Sequence, residues 1–225
     1  MAAVTHFYRS TVGKKIVMAV TGAILFAFVL VHMVGNLKIF QGAEKFDAYA
    51  AFLRDFGYPA LGHEQFLWIA RIALLVLAGL HILSAAQLYL ISKKARKTGY
   101  KIKDDLSFSY ASRTMRWGGI TLLLFIVFHI LHLTTGTAHP DFVHGAAYDN
   151  VVIGFSYWYV SAFYALCMIP LGLHIYHGLW SATQTLALQH PTIKKWRRPF
   201  AVGVAILIAA CNISIPVAVF AGLIR

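Results

Sequence analysis

Five apolar stretches, each long enough to cross a bilayer, divide this 225-residue chain. They run over about 16–37, 65–91, 117–135, 157–187 and 200–223. A helix needs about 20 such residues to span the hydrocarbon. Lipid offers no partner for backbone N–H and C=O groups, so each stretch is expected to be helical. The expected fold is all-α: one domain over 1–225, an integral membrane bundle of five transmembrane helices. Composition agrees, because only 12% of the residues are charged and mean hydropathy is +0.67, against about a quarter charged in a soluble domain. Pro170 and Pro216 fall inside the fourth and fifth stretches, where they are expected to kink the helices. The start, "MAAVTHFYRS", has no apolar region followed by a cleavage site, so no removable signal peptide is expected.

The charges lie between the spans and are uneven. Arg9, Lys14 and Lys15 precede the first span, eight Lys/Arg stand in "SKKARKTGYKIKDDLSFSYASRTMR", and "KKWRR" precedes the fifth. The loop at 38–64 holds three Lys/Arg, and the loop at 136–156 holds none. The positive-inside rule therefore predicts a cytoplasmic N-terminus and an external C-terminus. The net charge of +12 is read as a topology signal, with docking of a cytoplasmic partner or anionic lipid as a second use. No basic and aromatic platform lies outside the spans, which argues against nucleic acid. All eight Asp/Glu residues lie in loops or at span edges, which argues against a carboxylate-lined proton or cation path. Cys167 and Cys211 lie in apolar runs and read as small buried hydrophobes. No CxxCH occurs, so covalently attached haem is excluded.

Histidine carries the chemical signal. Of 11 histidines, His32 lies in span one, His81 in two, His129 and His132 in three, His174 and His177 in four. At about 1.5 Å per residue, His32 and His129 lie roughly 9–10 Å from the external end of their spans. By the same arithmetic His81 and His174 lie roughly 26 Å from that end, giving two layers on the order of 15 Å apart. Two histidines per layer from two facing helices suit bis-histidine haem b. Ala78, Ala85 and Gly178 offer small neighbours for a macrocycle. A di-iron or zinc site would gather ligands, usually with carboxylates, at one depth. Each HxxH pair, His129/His132 and His174/His177, lies on roughly one helix face, so either member could ligate.

These residues resemble the cytochrome b membrane-anchor subunit of succinate dehydrogenase and fumarate reductase, in its five-helix, single-chain, di-haem class. The resemblance runs through "STVGKKIVMAVTGAILFAFVLVHMVGNLKIFQG", "RIALLVLAGLHI", "RWGGITLLLFIVFHILHL" and "LHIYHGLWSATQTLAL", in that order. It implies two haems b within the first four helices, with His32 and His129 on the distal iron and His81 and His174 on the proximal one. His132 and His177 then fall beside the ligands. Arg71 would face a distal propionate or, alternatively, snorkel outward. Arg9, Ser10, Lys14, Arg113 and Arg116 would meet proximal propionates or a docked subunit, or simply anchor the inner surface. The implied partners are a flavoprotein subunit and an iron–sulfur subunit on the cytoplasmic face, with a quinone, menaquinone first, as electron acceptor in the cell membrane of a prokaryote. The chain has no P-loop, GxGxxG or Cys cluster, so substrate oxidation would belong to those partners. The carboxylate that some members carry beside the fourth-helix ligand is replaced here by Pro170, Leu171, Gly172 and Leu173, which argues against a proton path of that type. Alternatives are a di-haem b subunit of another quinone-linked or ascorbate-type oxidoreductase, and a transporter lined by histidines.

Overall fold

The computed structural model describes residues 7–95, 110–188 and 190–225, without the side chains of 110–113. The central basic segment at 96–109 and the side chain of Arg113 lie outside this set. The described residues form helices joined by short turns and contain no strand. In chain order the helices are α1 (Thr11–Asn36), α2 (Ala43–Asp55), α3 (Gln65–Ala95), α4 (Tyr110–Leu133), α5 (Ala147–Ser156), α6 (Trp158–Thr185) and α7 (Pro191–Phe220). Five of them, α1, α3, α4, α6 and α7, are long and apolar enough to cross a membrane. Large apolar side chains stand exposed along these helices, including Leu75, Val76, Leu124, Leu166 and Ile206. In water such a surface would aggregate; against lipid tails it costs nothing.

Local chemistry sets the helix ends. Ser10 caps α1, its hydroxyl accepting from the Gly13 N–H at 2.8 Å and donating to the Phe7 carbonyl at 2.7 Å. α7 begins at Pro191, nine residues before the span read from the apolar pattern. Proline suits a first helical position because its missing N–H would have no partner there, and the His190 ring accepts from the Thr192 N–H. The "KKWRR" run is therefore the opening of a helix rather than a loop. Its long side chains can lie along the helix with their charges at the interface.

The connections from α1 to α3 and from α4 to α6 are also partly helical. In α2, Phe46, Tyr49 and Leu53 recur at helical spacing, and Phe46 is buried against Tyr148 with ring centroids 6.3 Å apart. The Tyr148 N–H donates to the Asp47 carboxylate at 2.9 Å, and its hydroxyl donates to the Arg225 carbonyl at 3.0 Å. α2 and α5 thus pack together as a layer across one end of the bundle. This is called the far end, where α1 and α4 finish and α6 begins. The best-packed core lies beneath that layer, around Phe125, Phe155, Tyr164, Cys167, Met168 and Val219.

The spanning helices pack in a particular order. α3 lies against α1, α4 against α6, and the two pairs meet where α1 touches α6. α7 backs the assembly, packing mainly on α6 and also on α1. Cys167 is buried, Cys211 is partly buried, and both are free thiols.

Candidate functional site

Two pairs of histidines face each other between helices that do not otherwise pack closely. His81 of α3 and His174 of α6 have ring centroids 6.1 Å apart, with planes inclined at 59°. His32 of α1 and His129 of α4 have centroids 5.8 Å apart, near perpendicular at 87°. The pairs lie at different depths. His81 touches α1 at Met18 and Thr21. His32 is eleven residues beyond Thr21 on that helix, about 16 Å along its axis.

At the near-end pair, His81 is held from behind. Its Nδ1 lies 3.0 Å from the Met18 carbonyl oxygen and 3.3 Å from the Thr21 hydroxyl. A carbonyl only accepts, so Nδ1 carries the hydrogen and Nε2 keeps its lone pair. This is the arrangement by which a buried histidine is oriented for a metal. The ring leans over Gly22, where a Cβ would come within 3.0 Å of His81 Cε1. Glycine is therefore the residue that lets α3 bring this imidazole so close to α1. Opposite, His174 Nδ1 is buried with no hydrogen-bond partner. His174 borders a cleft of about 240 Å³ between α4 and α6, whose walls include Trp117, Gly118 and Pro170. His177 turns another way. Its Nδ1 also lacks a partner, and its ring sits 5.9 Å from Trp180, over which the Arg197 guanidinium lies at 5.6 Å.

At the far-end pair, Tyr164 of α6 stands behind His129. Its hydroxyl lies 3.4 Å from His129 Nδ1 and 3.0 Å from His132 Nδ1. His132 is 1% exposed, stacked on Phe128 at 5.4 Å, with Nε2 unpartnered. Its outer neighbour is His139, centroid to centroid 5.0 Å. His139 is fixed by the Asn150 carbonyl at 2.8 Å and the Asp141 N–H at 3.1 Å. The structure thus separates the members of each HxxH: His129 and His174 face another helix's histidine, while His132 and His177 pack elsewhere.

The geometry can be tested against a metal. Two metal–imidazole bonds of about 2 Å each would place the ring centroids about 6 Å apart. Ring contact alone also falls between about 4.5 and 7 Å. At the near-end pair His81 presents a free Nε2; His174 has an unpartnered buried Nδ1, as His177 does, and it is the facing of the rings that singles out His174. Among the described residues, no three His, Cys, Asp or Glu side chains gather closely enough to cage an ion. Each site offers two nitrogens and nothing more. That donor set fits a group which brings its own equatorial ligands, as haem does, and does not fit a zinc or di-iron cage.

The remaining candidates lie apart from the pairs. The Arg71 guanidinium lies over the Trp68 ring at 4.9 Å, beside an exposed indole, in keeping with outward snorkelling. Lys14 is buried, and its ammonium donates to the Tyr8 and Arg9 carbonyls at 2.8 and 2.9 Å. It closes the turn before α1 rather than reaching a pair. Arg116 lies over Tyr89 at 4.7 Å and links the start of α4 to the end of α3. The residues that sequence reasoning missed are Thr21, Gly22 and Tyr164. Thr21 and Gly22 stood quoted within span one without a role, and Tyr164 had no signal beyond a hydroxyl in an oily run.

The fold and site define a multi-pass helical membrane protein with two interhelical histidine pairs at two depths. Comparison with protein families, with curated proteins and with solved structures finds no match.

Proposed function

We propose that the chain is a di-haem b membrane anchor which carries electrons between a docked soluble enzyme and a membrane quinone. The supporting observation is the pair of histidine pairs, each drawn from two separate helices and stacked in two layers. When bound, haem b supplies a one-electron centre whose potential its axial ligands and their hydrogen bonds adjust. The residues that would hold it are His32 and His129 at the far end, and His81 and His174 at the near end. The chain itself orients the rings, through Met18 and Tyr164, and surrounds them with apolar helix faces. It offers no flavin or iron–sulfur motif, so substrate chemistry is assigned to partner subunits.

The particular reading is the anchor of succinate:quinone oxidoreductase. It rests on the motif resemblance in spans one to four. The partners are then a flavoprotein subunit and an iron–sulfur subunit, and the acceptor is menaquinone or another quinone. The basic residues at the near end, Lys93, Lys94, Lys194, Lys195, Arg197 and Arg198 among them, favour a cytoplasmic position for that end and would give the partners a surface to meet. The second reading, a di-haem subunit of another quinone-linked oxidoreductase, draws on the same histidine pairs.

A reduced-minus-oxidised spectrum and a haem-to-protein ratio of the purified chain test the class; two b-type haems per chain are expected. Absence of haem overturns it. Succinate added to native membranes should then reduce both haems. Two haems that respond to another donor and not to succinate would select the second reading.

A further inference from the structure

The far-end pair has a feature that the near-end pair lacks. Behind His81 stand a backbone carbonyl, which no side-chain substitution can remove, and the Thr21 hydroxyl, which has no second histidine behind it. Behind His129 stands a hydroxyl, and behind that hydroxyl a second histidine. One arrangement of the three groups gives the Tyr164 O–H an acceptor while His129 keeps a lone pair on Nε2. If His129 binds a metal through Nε2, its Nδ1 carries the hydrogen and donates to the Tyr164 oxygen. The Tyr164 O–H then has His132 Nδ1 as its acceptor, which leaves the hydrogen of His132 on Nε2. In the reverse direction, Tyr164 would donate to His129 Nδ1 and the His129 hydrogen would sit on Nε2, removing the lone pair.

The surroundings hold this order in place. Tyr164 is 6% exposed and packs edge-on against Phe125 and Phe155, at 5.1 and 4.7 Å. His132 is pressed between Phe128 and Gly154, where a Cβ would approach its Cε1 to 2.7 Å. His129 in turn stacks on Phe125 at 5.8 Å.

We propose that Tyr164 is a positioning residue for the far-end axial ligand, and that His132 positions Tyr164. This inference rests on the di-haem reading above. A hydrogen bond from Nδ1–H raises the basicity of the ligating nitrogen and favours the oxidised iron. A tyrosine oxygen whose own hydrogen is given to His132 is a better acceptor than a free hydroxyl. The division within the first HxxH follows from this: His129 binds, and His132 tunes.

The test is Tyr164→Phe in the full complex, with each haem followed by potentiometric titration and by the low-spin haem spectrum of the oxidised protein. Both haems should remain, and the far-end haem should become easier to reduce by about tenfold in its equilibrium constant, about 59 mV for one electron. The near-end haem should be unmoved, and in a His32→Ala background the shift should vanish. Selective loss of the far-end haem would also support the role, since such supporting bonds contribute about 10–100-fold to affinity. His132→Leu should move the far-end haem in the same direction, while His132→Gln, which keeps an acceptor for the hydroxyl, should restore most of the original value. Two haems with unchanged potentials in Tyr164→Phe would overturn the proposal, as would equal shifts or losses in both layers. A wild-type chain without haem would instead remove the reading beneath it.

Discussion

The imidazole of His81 on α3 is tied to the backbone of Met18 on α1, Nδ1 to carbonyl oxygen, at 3.0 Å. The tie exists because Gly22, one turn further along α1, has no side chain to hold α3 away. Gly22→Ala would place a Cβ 3.0 Å from His81 Cε1, which a few tenths of an ångström of movement can relieve. Gly22→Leu cannot be relieved in that way. On the di-haem reading proposed above, its expected effect, like that of the variants below, is read in the haems: loss of the near-end haem with the far-end haem kept, measured as the haem-to-protein ratio. Two haems retained in the Gly22→Leu protein would refute this account of the glycine.

Alanine at the facing histidines should remove haem one layer at a time. His32→Ala and His129→Ala should each leave the near-end haem, and His81→Ala and His174→Ala the far-end one. His177→Ala should keep both haems, because its ring faces Trp180 and not another helix's histidine. Extraction of haem and its quantitation against protein checks each variant, and two haems in His174→Ala would overturn the assignment.

Arg71→Ala should leave both haem potentials where they are. Its guanidinium lies on the Trp68 face, so the substitution removes a cation–π contact of about 0.5–1 kcal/mol at an exposed site. A shift of the far-end potential would instead show that this arginine faces a propionate.

Two glycines of similar appearance should behave in opposite ways. At Gly154 a Cβ meets His132 Cε1 at 2.7 Å and Nε2 at 2.9 Å, whereas at Gly178 nothing lies within 4 Å. Gly154→Ala should cost about 1–3 kcal/mol through overpacking. Gly178→Ala should be neutral in the haem-free chain. Thermal unfolding in detergent, compared between the two, is the measurement.

The Asp47 side chain is one of the ties between α2 and α5. Asp47→Ala removes the partner of the Tyr148 N–H, a bond to a charged group, and should lower stability by about 1.5–3 kcal/mol. Protease cleavage within 38–64 should speed up, while the near-end haem should stay in place.

The sequence made the five spans legible because lipid imposes a length, and a length can be read by counting. The helices α2 and α5 were not legible in that way. Phe46, Tyr49 and Leu53 form a short apolar stripe, but a stripe announces a helix only once something is known to lie beneath it, and Tyr148 is about a hundred residues away. Depth matched His32 with His129 and His81 with His174, since rise per residue is a property of any helix. Which member of an HxxH faces inward is a matter of rotation about the axis. His129 and His132 differ there by a packing choice that Tyr164 and Gly154 make together. The opening of α7 was misplaced for a plainer reason: a proline followed by lysines and arginines looks like a loop when only hydropathy is weighed.

The crosswise pairing also sets an order in time. Each facing pair takes one histidine from residues before 96 and the other from residues beyond 109. The first half of each site can be membrane-inserted, with His81 already bound to Met18, while the other half has yet to be synthesised. His32 gains its partner when α4 arrives, and His81 gains its own only with α6. Both far-end histidines are therefore present before the near-end pair can form, and α6 then brings Tyr164 to the one layer and His174 to the other.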